Sequence, residues 1–138
     1  MQPDSIYASR CVAAGPSDPA RRPYAVVLTS GPEDQGKRAT LALAAACTAQ
    51  AMDLDTIVFL LGDGAQWAYD GPAEQVHVLG FPALSDLIKL FVDGGGQVLL
   101  CSACDGVCAL PGTRRRGVRV SGLATLLSHT IGGSAVTF

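Results

Sequence analysis

The sequence predicts an α/β domain, a parallel sheet with helices on both faces. Three observations predict it. Short apolar runs alternate with helical stretches along the chain. The runs are apolar throughout rather than at every second residue, as strands buried on both faces require. The chain has 138 residues, 49% hydrophobic and 16% charged, which suits one domain whose core needs no disulfide or metal staple.

Residues 1–23 hold four of the eight prolines and little periodicity, so they read as a flexible leader, with the folded domain spanning 24–138. Residues 24–29 (YAVVLT) form the first buried strand, broken by Ser30-Gly31-Pro32. Asp34 is placed to cap a helix from residue 35 to about 52. That helix is rich in Ala, and Leu41, Ala45, Thr48 and Met52 share one face. Residues 56–61 (TIVFLL) form the second strand, ended by Gly62-Asp63-Gly64. The next stretch is irregular, with a short helix near Ala73. Pro82 opens a helix that presents Leu84, Leu87, Ile88 and Phe91 on one side and stops at Gly94-Gly95-Gly96. Residues 97–101 (QVLLC) form the third strand and 118–120 a short fourth. Ser121 is placed to cap a helix from 122 to about 130, and residues 134–138 close the sheet.

Composition excludes several functions. The net charge of −2 gives no basic surface for nucleic acid. No apolar run has the length of a membrane span, and the amino end lacks the apolar core of a secretory signal. Five cysteines, an odd number, do not resemble a secreted disulfide framework. A reducing, cytoplasmic setting is expected.

Parallel sheets collect ligands and chemistry at the carboxyl ends of their strands. Three segments fall there: residues 30–34, 62–67 and 101–108. The third carries three cysteines in eight residues (CSACDGVC), with Cys101 ending a strand and Cys104 and Cys108 following. A thiol reacts as its thiolate, which a strand-to-helix junction and nearby arginines favour. A lone cysteine in such a place would read as buried filler. Three together point to thiol chemistry or metal. Zinc and iron–sulfur sites want four ligands, and His77 and His129 lie far away in sequence, so no metal or cofactor is expected. The thioredoxin context of aromatic and proline residues around a CxxC is also missing.

Gly31 to Lys37 matches GxxxxGK between a strand and a helix, the setting of a phosphate-binding loop. Arg38 stands where magnesium needs Ser or Thr, Glu33 and Asp34 would repel phosphate, and Pro32 lacks a donor. A helix-capping loop is the better reading. Arg114, Arg115 and Arg116 could meet an acidic partner or an anionic sulfur donor, or simply face solvent. Trp67 and Tyr69 could wall a pocket or a subunit interface, though Trp at a loop is as often plain packing. With Phe81 they fall in irregular segments, where aromatic side chains suit an interface between copies.

These residues resemble the DsrE/DsrF-like family of sulfur-relay proteins. VVLTSGPED (26–34), running into an Ala-rich helix, is similar to the family's opening. VFLLGDG (58–64) is similar to its second strand and loop. VLLCSAC (98–104) resembles the strand that delivers the sulfur-accepting cysteine. GVRVSGLATL (117–126) and AVTF (135–138) resemble the carboxyl end of TusD- and DsrE-type subunits. The resemblance covers about 24–138. It implies a three-layer α/β/α fold with a mostly parallel five-stranded sheet, and homo- or hetero-oligomers, often trimers or hexamers. It also implies persulfide transfer from a protein persulfide donor to a thiol acceptor. The active cysteine maps to Cys101, and branches with a paired cysteine bring in Cys104. The Arg-Arg-Gly of the family comes late here, at 115–117, and Cys108 and the leader have no counterpart.

The expected function is therefore sulfur carriage on Cys101, with Cys104 able to resolve the persulfide. Ser30, Gly31, Gly64, Trp67 and Arg114 to Arg116 are the expected partner-binding surface. The rival reading is a non-catalytic oligomeric module that binds a ligand or regulates.

Overall fold

Five strands run β1 (Pro23–Leu28), β2 (Asp55–Leu60), β3 (Gln97–Cys101), β4 (Val118–Ser121) and β5 (Ser134–Thr137) in the computed structural model, which describes residues 21–105 and 112–138. The helices among the described residues are α1 (Lys37–Ala51), α2 (Leu84–Asp93), the single turn α3 (Ser102–Asp105) and α4 (Leu123–Thr130). The sheet order is β4-β3-β2-β1-β5. Every pairing is parallel, so the sheet expected to be mostly parallel is wholly so. Together with its helices this is a three-layer α/β/α arrangement.

The chain steps from β1 to β4 in one direction across the sheet, then reverses to place β5 beside β1. Right-handed crossovers keep α1 and α2 on one face and send α4 to the other. Strand alternation divides the core accordingly. Val26, Leu28, Val58, Leu60, Val98 and Leu100 face α1 and α2. Ala25, Ile57, Phe59, Leu99 and Cys101 face α4, with Leu126 packed against them.

Several elements depart from the sequence reading. The first strand begins at Pro23, and the Arg21 side chain donates to the Asp53 and Leu54 carbonyls, so residues 21–23 belong to the domain. The rest of the leader, residues 1–20, lies outside the described residues. In α1 the buried side is Ala39, Ala42, Leu43, Ala46 and Cys47, while Leu41 and Met52 are exposed. Small side chains let α1 lie close to the sheet and to α2. There Gln50 Nε2 donates to the Phe91 carbonyl at 3.0 Å. The N-cap of α1 is Gly36, but the Asp34 carboxylate just before it accepts the Gly36 and Arg38 N–H groups at 3.1 and 2.9 Å and so serves the helix start. Ser121 does not cap α4, whose N-cap is Gly122 with no side-chain hydrogen bond.

The turn after β2 explains a glycine. Residues Gly62–Ala68 form a 3-10 helix that folds back over the end of β1. The Leu61 N–H donates to the Leu28 carbonyl at 3.0 Å. A Cβ on Gly64 would be driven into that same carbonyl group, 2.8 Å from its carbon.

Candidate functional site

The carboxyl ends of β1, β2 and β3 stand level, since Leu28 pairs with Leu60 and Leu60 with Leu100. The connections after them therefore meet. Cys101 is the last residue of β3 and pairs with Ser121 of β4. Its parity turns it inward toward α4, where it is 2% exposed among apolar neighbours. Three residues later Cys104 sits on α3 and is partly exposed. The Gly62 N–H donates to its Sγ at 3.2 Å, joining the loops after β2 and β3. Between the two thiols, Cys104 alone combines access with a donor at its sulfur. The sequence placed Cys101 first and Cys104 second; the structure buries the first and leaves the second partly exposed. Cys108 lies outside the described residues. Cys47 is structural: it is buried, and its thiol donates to the Leu87 carbonyl.

Asp105, next to Cys104, accepts a hydrogen bond from the Tyr69 hydroxyl at 2.8 Å. Its other oxygen lies 3.9 Å from Arg114. The returning segment runs antiparallel beside residues 68–70. Tyr69 bridges Arg114, Asp70 N–H donates to the Thr113 carbonyl, and Arg115 N–H donates to that of Ala68.

The arginines thus have separate fates. Arg114 faces Asp105 beside the cysteine. Arg115 is mostly buried and its Nη2 donates to both oxygens of Glu74, at 2.5 and 2.7 Å. It ties the 112–115 segment to the 3-10 turn Ala73–Gln75 and is committed within the chain. Arg116 shares with Arg115, Lys89 and Asp86 the lining of a cavity of about 350 Å³ that includes neither cysteine.

The hydrogen bond from Arg115 holds the Glu74 carboxyl below the usual carboxylate range. A depressed acid contributes stability above its unfolded value and loses it as pH falls through its folded value. Glu74→Gln is expected to lower the melting temperature near neutral pH, with the gap to wild type closing below about pH 4. The side chain is about half exposed, so the effect should not exceed about 1 kcal/mol. A thermal melt series across the acid range checks this.

The other expected binding residues are together but serve packing. The Trp67 indole is 1% exposed and donates to the Ser30 carbonyl at 2.8 Å. Trp67 and Tyr69 belong to the main core, so of the readings the sequence left open the structure shows packing within the chain. Gly31 and Gly64 lie in the contact between the loops after β1 and β2. The amides that a phosphate would need in the GxxxxGK-like loop are taken, Gly31 N–H by Glu33 and those of Gly36 and Arg38 by Asp34. Among the described residues no group of three His, Cys, Asp or Glu is placed to hold a metal ion.

A model of the DsrE/DsrF-like family matches residues 22–138. The chain belongs to this family. Membership in the DsrE/DsrF-like family suggests a role of the sulfur-relay type. The fold agrees with a solved relative, the crystal structure of the ychN protein from E. coli. The two superpose with a TM-score of 0.65 at 22% identity, covering 85% of this chain and 99% of that one. No curated protein matches the chain. The sequence reading held Gly62 and Asp105 inside its candidate segments and Tyr69 as a possible wall, but it did not pair Gly62 with Cys104 or Tyr69 with Asp105.

Proposed function

We propose that this DsrE/DsrF-like protein carries sulfane sulfur as a persulfide on Cys104. The observation that carries the reading is the Gly62 N–H directed at a partly exposed Cys104 Sγ above the strand ends. A hydrogen bond to the charged form favours the thiolate, and the thiolate is the nucleophile. The Cys104 thiolate attacks the outer sulfur of a donor protein's persulfide. A new S–S bond forms, the donor's S–S bond breaks, and the donor thiolate leaves with the bonding pair, so no net oxidation occurs. A thiolate on an acceptor protein then takes the outer sulfur by the same exchange. Cys101, buried behind the turn, is the second thiol of the pair. Attack by Cys101 on the inner sulfur would release sulfide and leave a disulfide. The chemistry needs reduced thiols, which a cytoplasmic setting supplies. Among the described residues no helix is long and apolar enough to cross a membrane. Intact-mass measurement after incubation with a persulfide donor tests the reading: one added sulfur atom, removed by reductant, is expected.

The protein is further proposed to act as a homo-oligomer, a trimer or hexamer, or with related subunits. The support is not the aromatic residues expected at the interface but α4. Its Leu123 and Leu127 lie one turn apart on one face and are 50% and 62% exposed, and Ile131 just past its end is 78% exposed. Val120 of the edge strand β4 is also exposed. Apolar surface of this kind marks contacts between chains. Light scattering after size exclusion should give a multiple of 14.2 kDa. Leu127→Asp should reduce the mass to one chain without unfolding it. A wild-type mass of one chain that persists on concentration would sink the proposal.

A further inference from the structure

The turn α3 that bears Cys104 is short: Cys104 packs against both apolar clusters and accepts the Gly62 N–H, and Asp105 lies at its far end. It is four residues long and buries none of them. Four residues cannot sustain a helix by propensity, because nucleation costs more than one turn returns. The turn is fixed at its far end by Asp105, whose Oδ1 accepts from the Tyr69 hydroxyl. Tyr69 is itself anchored: it is 6% exposed, packs in the main core, and is bridged through its backbone to Arg114.

We propose that Tyr69 is the positioning residue for Cys104, its hydroxyl acting through Asp105 to keep the thiol on the Gly62 N–H. The functional consequence rests on the reading of Cys104 as the sulfur acceptor. Two effects follow from the one hydrogen bond. It places the turn, and with it the Sγ. It also holds the Asp105 carboxylate toward Tyr69 and Arg114, on the residue next to the sulfur. A carboxylate swung toward a thiolate would oppose its formation. Among the described residues, the other charged or titratable groups on the elements around the turn are few. They are Asp63 on the turn after β2, Cys101 at the end of β3, and Arg119 on β4, whose side chain donates to Gln97 at the opposite end of β3.

Tyr69→Phe removes the hydroxyl and keeps the ring in the core. The rate of iodoacetamide labelling at Cys104 is followed by peptide mass across pH in the full chain. Tyr69→Phe should slow labelling near neutral pH about tenfold, the loss of thiolate that a one-unit upward shift of the profile produces. Asp105→Asn added to Tyr69→Phe should return the profile most of the way, because the amide carries no charge. A profile in Tyr69→Phe that overlays the wild type would overturn the proposal, and so would a slower rate with an unshifted midpoint. Sulfur uptake separates the two readings. Unchanged labelling chemistry with no uptake in the wild type would remove the carrier function and leave the positioning role. Equal uptake rates in wild type and Tyr69→Phe would remove the positioning role and leave the carrier function.

Discussion

Cys104→Ser is expected to reduce sulfur uptake from a persulfide donor by about 100-fold or more, because a serine hydroxyl is not ionised at neutral pH and does not replace a thiolate nucleophile. Cys104 is partly exposed and its Sγ accepts the Gly62 N–H, a bond a serine oxygen can also accept, so the variant should keep its fold. Cys101→Ser should behave in the opposite way. Cys101 lies among Ala25, Ile57, Phe59 and Leu99, and a hydroxyl placed there costs about 1–3 kcal/mol of stability. Uptake should survive in that variant at temperatures where it remains folded. Intact-mass kinetics and thermal melts on both proteins give the answer. Loss of the adduct in Cys101→Ser with retention in Cys104→Ser would return the acceptor role to Cys101.

Gly64→Ala is expected to destabilise the domain by about 3 kcal/mol or more, as overpacking against rigid backbone does. The added methyl meets the Leu28 carbonyl group, which cannot rotate away because its oxygen accepts the Leu61 N–H. For a domain of this size that corresponds to a drop of about 10 °C in melting temperature. Gly62→Ala provides the contrast. Gly62 has φ +54 but nothing within 4 Å of a Cβ, so only backbone strain of about 1 kcal/mol applies. Equal losses in the two variants would show that close approach at Gly64 is not what matters.

Much of this fold was legible because the strands signal it directly. Residues 24–28, 57–60 and 98–101 are apolar throughout, as strands of a sheet covered on both faces are. The α2 face was equally plain, since Leu84, Leu87, Ile88 and Phe91 contrast with polar neighbours, and all four are buried. In α1 the contrast fails. Alanine occurs on every side, so Leu41 and Met52 drew attention to the face that proves to be outward. The burial of Cys101 was present in the sequence but unused: in a sheet covered on both faces, the last strand residue is inside whichever way it points. Asp105 and Tyr69 are 36 residues apart, and Gly62 and Cys104 are 42 apart. No local pattern reports such pairs. They exist only because β2 and β3 are neighbours with their ends level.

The reversal that sets β5 beside β1 has a kinetic consequence. From β1 to β4 each new strand pairs with the one before it, so the sheet can grow by short loop closures. β5 must instead return to the first strand, with Phe138 bonded to Thr29 across 109 residues. Closing so long a loop is entropically the costliest step, and it is best deferred until the rest has formed. Val136, packed against the main core from β5, should then leave the folding arm of a chevron almost untouched when shortened to Ala and steepen only the rate of unfolding. The last strand would act as a latch on a sheet already assembled, and its release would be the first event when the protein comes apart.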